Sequence, residues 1–196
     1  MPKRKGKVER RTKETRVSVE LSLDGSGVSS IRCGVGFLEH MLNLFSKHAR
    51  LDLKLVAAGD TQVDDHHTVE DAGIALGEAI DKALGDRAGL VRFGSAAVPM
   101  DEALAEVALD LSGRGFLVYN VKFRQEKIGS YDAVLTQEFL QALAAHARMT
   151  VHVNVPYGKD GHHITEAVFK ALARALAQAV STDPRVKGVP STKGTL

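Results

Sequence analysis

The sequence predicts an α+β fold made of two similar halves, and the main reason is a repeated pattern of residues. Residues 48–55 read HARLDLKL and residues 146–153 read HARMTVHV, an offset of 98 positions. Residues 65–70 (DHHTVE) match residues 161–166 (GHHITE) at an offset of 96. The difference of two residues between these offsets falls in a loop, where changes of length are tolerated. We therefore interpret the chain as a duplication.

The first half, residues 1–90, contains predicted strands and helices in alternation. Residues that alternate between apolar and polar predict strands, and a Gly-Ser-Gly turn separates the first two of them. Apolar residues at helical spacing predict amphipathic helices. The predicted strands are 17–23, 28–32 and 51–55, and the predicted helices are 37–49 and 66–84.

The second half, residues 91–196, repeats that order of elements. Sheets packed on paired helices would bury the apolar face of each element, which is why we predict this arrangement. The predicted strands lie near 91–98, 104–111, 116–123 and 149–155, and the predicted helices near 132–147 and 163–180.

The composition indicates a folded protein with its own core. The chain has 196 residues, of which 44% are hydrophobic and 26% are charged, whereas disordered chains are poorer in apolar residues. No run of 18 apolar residues is present in the sequence, so we expect no membrane span. No apolar stretch follows the basic start, and the single cysteine, Cys33, fits a reducing compartment. A cytoplasmic protein is therefore expected.

Positive charge is concentrated in the first 16 residues. That segment holds eight Lys and Arg side chains, against 18 basic and 22 acidic residues in the remainder. A basic arm could bind nucleic acid, but we favour a frayed, solubilising terminus. The sequence contains no Trp, and only 5% of its residues are aromatic. This argues against a surface on which the bases of single-stranded nucleic acid could stack. No nucleic-acid partner is expected.

Two His-His-x-x-Glu motifs carry the strongest chemical signal. Each stands at the start of a predicted helix, where residues four apart share a face, so His66 can meet Glu70 and His162 can meet Glu166. Adjacent residues of a helix point about 100° apart, so the two His of one motif rarely bind the same ion. The motifs therefore predict two metal sites, each with ligands from both halves.

Two further predicted helices extend the set of candidate ligands. His40 precedes the first motif, and its counterpart in the second repeat is Glu138. Imidazole and carboxylate ligands suit Mn, Fe, Zn, Co or Ni better than Mg or Ca, and the sequence has no cysteine set for structural zinc. His152 lies on a predicted strand. A contact with one of the metal ligands and a position at the surface would explain it equally well. The eight candidate ligands are His40, His66, His67, Glu70, Glu138, His162, His163 and Glu166.

Six motifs together resemble those of the imidazoleglycerol-phosphate dehydratase family, over nearly the whole chain. The resemblance implies halves of the ribosomal-protein-S5-domain-2-like fold, with left-handed crossovers. It also implies two Mn²⁺ ions per active site and a homo-oligomer of 24 subunits, with active sites between subunits. The motifs are residues 11–15 (RTKET), 37–41 (FLEHM), 64–71 (DDHHTVED), 110–114 (DLSGR), 161–166 (GHHITE) and 190–194 (PSTKG).

The resemblance also implies roles for individual residues. Glu14 is expected to be an acid–base group that contacts the substrate, although an ion pair with Arg11 or Arg16 would explain it equally well. Glu166 and His67 are expected to take part in catalysis as well as in metal binding. Arg can hold phosphate through two hydrogen bonds, and Lys adds a point charge. The expected phosphate-binding residues are Arg92, Arg114, Lys170, Ser191 and Lys193.

One candidate ligand departs from the family pattern. Many relatives carry His at the position where this chain has Glu138. Either one site has two His and two Glu ligands, or Glu138 does not bind the metal. A carboxylate in this place is compatible with Mn²⁺, because Mn²⁺ is a harder ion than Zn²⁺.

The activity that the resemblance implies is a carbon–oxygen lyase reaction in L-histidine biosynthesis. Imidazoleglycerol phosphate would lose water and become imidazole-acetol phosphate. A metal lowers the pKa of its ligand, so ions at the ring of the substrate would ease loss of the neighbouring hydroxyl group. Two other functions remain open. A di-metal hydrolase would attack a phosphorylated substrate with an activated water, and a noncatalytic shell would bind metal without turnover.

Overall fold

A computed structural model of the chain describes residues 4–196. The helices are α1 (Gly36–Ala49), α2 (His66–Leu84), α3 (Leu135–His146) and α4 (Gly161–Ala179). The strands are β1 (Lys5–Arg11), β2 (Thr15–Ser22), β3 (Ser29–Arg32), β4 (Asp52–Gly59), β5 (Phe93–Met100), β6 (Ala103–Asp110), β7 (Phe116–Asn120), β8 (Lys127–Ile128), β9 (Tyr131–Asp132) and β10 (Thr150–Tyr157). Within the described residues, no helix has the length and apolar character needed to cross a membrane.

The two halves form sheets of the same topology. The strand order is β1-β2-β4-β3 in one sheet and β5-β6-β10-β7 in the other. In each sheet three neighbouring strands are antiparallel, and the last strand lies parallel to its neighbour. This shared topology confirms the α+β fold and the duplicated halves. The boundary between residues 90 and 91 stays a prediction.

The helices join the two halves. Helix α2 packs on β1 and β2, and α4 packs on β5 and β6. The helices then meet in two pairs, α1 with α4 and α2 with α3, so each pair contains one helix from each half. Buried side chains in the core include Leu38, Phe45, Phe139 and Phe169, each at most 1% exposed, and their burial stabilises the fold. Residues distant in sequence thereby come together along the helix pairs.

Two glycines allow strands to approach helices closely. A Cβ atom at Gly6 on β1 would lie 1.9 Å from the carbonyl oxygen of Ala79, and one at Gly94 on β5 would lie 1.9 Å from that of Ala175. Ala79 and Ala175 are 96 positions apart, the same offset as the His-His motifs. The duplicated halves therefore use the same close contact between a helix and an edge strand.

The Gly94→Ala variant is expected to lose about 3 kcal/mol of unfolding free energy, because the added methyl group forces β5 away from α4. Chemical denaturation of the variant and the wild type measures the loss. Gly36→Ala is the matched control. No atom lies within 4 Å of a Cβ at Gly36, so a change below about 0.5 kcal/mol is expected. Equal stability of the two variants would contradict the close contact.

The expectation of a frayed N-terminus is wrong for the described part of the basic arm. Lys5–Arg11 forms β1, an edge strand that is paired along its whole length with β2. Val8 is 3% exposed, whereas Lys7 points outward and forms an ion pair with Glu20 (Nζ to Oε1, 3.1 Å). A strand with so few apolar residues on its buried face shows little of the alternation that identifies strands in a sequence. Residues 1–3 of the arm lie outside the described residues.

Candidate functional site

Three side chains suited to metal binding converge where α1 meets α4. The Nε2 atoms of His40 and His162 lie 3.4 Å and 3.2 Å from Oε2 of Glu166. One ligand atom from each residue lies within 4.8 Å of the others, and no other group of three His, Cys, Asp or Glu side chains within residues 4–196 meets this condition. We call His40, His162 and Glu166 the metal triad.

The start of α4 explains how the metal triad forms. The side chain of Asp160 caps the helix by accepting hydrogen bonds from the backbone N–H groups of His162 (2.8 Å) and His163 (3.3 Å). His162 and Glu166, one turn apart, then share a face, and the packing of α1 on α4 brings His40 opposite them. Two imidazoles and one carboxylate fit a divalent transition ion such as Mn²⁺.

The carboxylate of the triad keeps its negative charge although it is only 7% exposed. Burial raises the pKa of Glu166, but the ammonium group of Lys170, 2.5 Å from Oε1, and hydrogen bonds with His162 and His40 together hold that pKa below its ordinary value. Lys170 therefore lies beside the metal triad, and its expected role in phosphate binding stays a prediction.

The corresponding residues of the other helix pair do not converge in the same way. His66 begins α2, Glu70 follows one turn later, and Glu138 lies in the first turn of α3, which packs against α2. All three side chains are partly buried. Within the described part of the chain, their ligand atoms do not meet as those of the triad do. A second site made of these residues stays a prediction.

The second His of each motif is turned away from the first. The two rings are nearly perpendicular in both motifs, at 87° and 75°. Nδ1 of His67 lies 3.1 Å from Oδ2 of Asp60, and Nδ1 of His163 lies 2.7 Å from Oε2 of Glu102. These hydrogen bonds raise the pKa of both imidazoles. The pKa of the Glu102 carboxyl group is lowered to about 2. The main cause is the hydrogen bond that the backbone N–H of Asp160 donates to it, and the hydrogen bond with His163 lowers the pKa further.

Glu14 lies in the turn between β1 and β2, close to the first motif. Its carboxylate is 55% exposed and is 3.9 Å from Nδ1 of His67. Among the described residues, its ionisable neighbour is thus His67 rather than Arg11 or Arg16. In the second half the corresponding turn, between β5 and β6, contains Glu102, which contacts His163. Sequence reasoning missed Glu102, although this correspondence with Glu14 could have indicated it.

A cluster of basic and hydroxyl groups lies where the C-terminal tail meets β5 and β6. Arg92 donates two hydrogen bonds to Asp110, from Nε (2.7 Å) and Nη2 (3.0 Å), and a third to the carbonyl oxygen of Pro190 (2.7 Å). The tail is therefore anchored against the sheet. The cluster lines a cavity of about 530 Å³, which we call the basic pocket. Four of the predicted phosphate-binding residues line it, namely Arg92, Arg114, Ser191 and Lys193.

Comparison with known proteins decides the family. The model of the family "Imidazoleglycerol-phosphate dehydratase" matches residues 33–176. The imidazoleglycerol-phosphate dehydratase of Desulforamulus reducens is 55% identical over 196 residues, which is 100% of both chains. The chain belongs to the imidazoleglycerol-phosphate dehydratase family.

Solved structures of imidazoleglycerol-phosphate dehydratases share the fold. The crystal structure of the Staphylococcus aureus enzyme aligns with a TM-score of 0.83 at 39% identity, covering 91% of this chain and 99% of that one. The Pyrococcus furiosus enzyme, in complex with (S)-C348, aligns with a TM-score of 0.84 at 35% identity, covering 96% and 100%. Family and fold class are thus confirmed, as is the enzyme class, because a dehydratase of histidine biosynthesis is a hydro-lyase.

In this member of the imidazoleglycerol-phosphate dehydratase family, the metal triad and the basic pocket lie at opposite ends of α4. His162 stands at the start of the helix, whereas the backbone N–H of Arg92 donates to the carbonyl oxygen of Ala179 at its end (3.0 Å). A helical rise of 1.5 Å per residue separates these ends by about 25 Å. The metal triad and the basic pocket are therefore not neighbours within one chain, whereas Lys170 lies beside the triad.

Proposed function

We propose that the protein converts imidazoleglycerol phosphate to imidazole-acetol phosphate in L-histidine biosynthesis and depends on two Mn²⁺ ions per active site. The observation that carries this proposal is the convergence of the three side chains of the metal triad in a chain that belongs to this family. Bound ions would supply positive charge at the imidazole ring of the substrate and so favour loss of the neighbouring hydroxyl group. A cytoplasmic location would suit this biosynthetic role.

The chain offers enough donors for two ions. His40, His162 and Glu166 would hold one of them. We infer that His66, Glu70 and Glu138 form the core of the other, because they occupy the equivalent positions in the second helix pair. His67 and His163, which diverge from these groups, would complete the two sites from another copy of the chain. The ligand set would then be shared between subunits.

Glu14 is proposed as the acid–base group. Its carboxylate is exposed and lies 3.9 Å from Nδ1 of His67, so it stands at the edge of the proposed metal site while remaining open to a ligand. Loss of the hydroxyl group makes the next C–H of the substrate more acidic, and a carboxylate held nearby can accept that proton. Glu166 and His67 would contribute through the ions that they bind.

The basic pocket is proposed to bind the phosphate of the substrate. The guanidinium groups of Arg92 and Arg114 can each bind two phosphate oxygens. Lys193 adds a positive charge, and Ser191 adds a hydroxyl donor. Lys170 is the weaker candidate, because its ammonium group already pairs with Glu166.

The separation of the two clusters supports an active site between subunits. The substrate spans at most about 8 Å from ring to phosphorus, since about five bonds of roughly 1.5 Å join them. The metal triad and the basic pocket of one chain lie about 25 Å apart along α4. One substrate molecule cannot reach both, so the triad of one copy would work with the pocket of another. We propose the 24-subunit homo-oligomer as the assembly that supplies this contact.

Removal of divalent ions by chelation is expected to abolish dehydration, and Mn²⁺ is expected to restore it. The measurement is formation of the ketone product from imidazoleglycerol phosphate, with metal content determined on the same samples. Release of inorganic phosphate in place of the ketone would favour a di-metal hydrolase, and metal binding without turnover would favour a storage shell. Full activity of the metal-free protein would rule out the proposed mechanism.

A further inference from the structure

A carboxylate is placed against Nδ1 of the second His in both motifs, and in the second half it is firmly anchored. Oε1 of Glu102 accepts hydrogen bonds from the backbone N–H groups of Lys159 (3.0 Å) and Asp160 (2.8 Å). Oε2 of the same side chain faces Nδ1 of His163 at 2.7 Å. One oxygen therefore fixes the carboxylate to the loop before α4, and the other is free to orient the ring.

The first half has an equivalent contact from a different element. Asp60 directly follows β4, and both of its carboxylate oxygens lie close to Nδ1 of His67, at 3.2 Å and 3.1 Å. Its side chain is 19% exposed. The two halves differ in sequence here, since Asp60 precedes α2 whereas Glu102 lies in the β5–β6 turn. Each half nevertheless places a carboxylate against Nδ1 of the second His of its motif.

The second nitrogen of the His163 ring lies on the other side, away from Glu102. Nε2 of His163 faces Asp101, 3.6 Å away, whose side chain is 72% exposed, so this nitrogen points toward the surface. A neutral imidazole carries one N–H, and an ionised carboxylate can only accept a hydrogen bond. The proton is therefore held on Nδ1, and the lone pair that a metal requires lies on Nε2.

We propose that Asp60 and Glu102 are positioning residues. Each holds the second His of its motif in the tautomer that offers Nε2 to a metal ion. The inference rests on the proposed function, because it needs His67 and His163 to be ligands. It explains why these two rings turn away from their neighbours and yet are held in fixed orientations.

The first test is the tautomer of the wild-type protein without metal. Magic-angle-spinning NMR of sedimented protein labelled with ¹⁵N-histidine, at alkaline pH, distinguishes protonated from unprotonated ring nitrogens. Spectra of the His163→Gln and His67→Gln variants assign the two rings by the signals that they lose. We expect the proton on Nδ1 of both residues. A proton on Nε2 of His163 would overturn the proposal before any carboxylate is replaced.

The second test exchanges the acceptor for a donor. In Glu102→Gln the amide oxygen can keep the hydrogen bonds from Lys159 and Asp160, while the NH₂ group faces His163 and favours the opposite tautomer. We expect the His163 proton to move to Nε2 and the affinity for Mn²⁺, measured by calorimetry, to fall about 10- to 100-fold. Asp60→Asn should do the same to His67, and provides the test if the Glu102 variant does not fold.

Glu106→Gln is the matched control, because Glu106 lies on the neighbouring strand β6 and is exposed. It should keep the wild-type tautomers and affinity. Unchanged tautomers in both carboxylate variants, or a changed tautomer with unchanged Mn²⁺ affinity, would overturn the positioning role. A wild-type protein that binds no Mn²⁺ would instead overturn the proposed function, so the two failures are distinguishable.

Discussion

The Glu166→Gln variant is expected to lose about 10³-fold in kcat/KM, together with one of the bound ions. Glu166 is the centre of the metal triad, since Oε2 lies within 3.4 Å of both imidazoles. Glutamine has the same shape but no charge, and it leaves the nearby ammonium group of Lys170 without its counter-ion. A metal ion contributes several kcal/mol to stabilising charge in a transition state, and about 4 kcal/mol corresponds to a 10³-fold change in rate.

Steady-state kinetics and metal analysis on the same preparation check this prediction. Glu78→Gln is the control, because Glu78 lies on α2 and contacts only His146 weakly, at 3.7 Å, among the described residues. It should retain wild-type activity and metal content. If Glu166→Gln kept its ions and its kcat/KM, the triad would not be the metal site.

Hybrid assemblies of two impaired variants are expected to regain activity. Glu166→Gln removes the metal triad, and Lys193→Ala weakens the basic pocket, so that its KM rises while its metal content stays intact. The two sites lie about 25 Å apart in one chain. If each active site takes its triad from one copy and its pocket from another, random mixing leaves about a quarter of the sites with both parts intact.

Co-expression of the two variants with different affinity tags, followed by tandem purification, yields the hybrids. Their activity at a fixed substrate concentration near the wild-type KM is compared with that of each parent. About a quarter of the wild-type rate is expected. A hybrid no more active than the mean of its parents would show that one chain supplies the whole active site.

The long elements of the fold were predictable from local patterns. Helix α2 runs from His66 to Leu84, as the spacing of its apolar residues predicts, because a helix on a core must repeat its apolar residues every three to four positions. The short hairpin of β8 and β9 was missed, as β1 was. Strands of two residues have no period to detect, and β1 has few apolar residues to alternate.

The candidate site was predictable where it depends on spacing along one helix. His162 and Glu166 contact each other because they lie one turn apart on α4. The prediction that each site would take ligands from both halves followed from the two repeated motifs, because adjacent His side chains of a helix diverge. His40 was included because it lies on the helix before the first motif. The contact of Lys170 with Glu166 has the same spacing of one turn and was open to the same reasoning, but the family resemblance assigned Lys170 to phosphate alone.

By itself, the sequence determined the duplication, the two His-His motifs and the kind of ligand that they can bind, since these depend on residue type and helical period. The tertiary structure decided which residues meet across halves. It joined His40 to the start of α4, placed Glu102 against His163, and separated the basic pocket from the metal triad by the length of a helix. Such contacts arise from strand register and helix packing between segments distant in sequence, which no local period records.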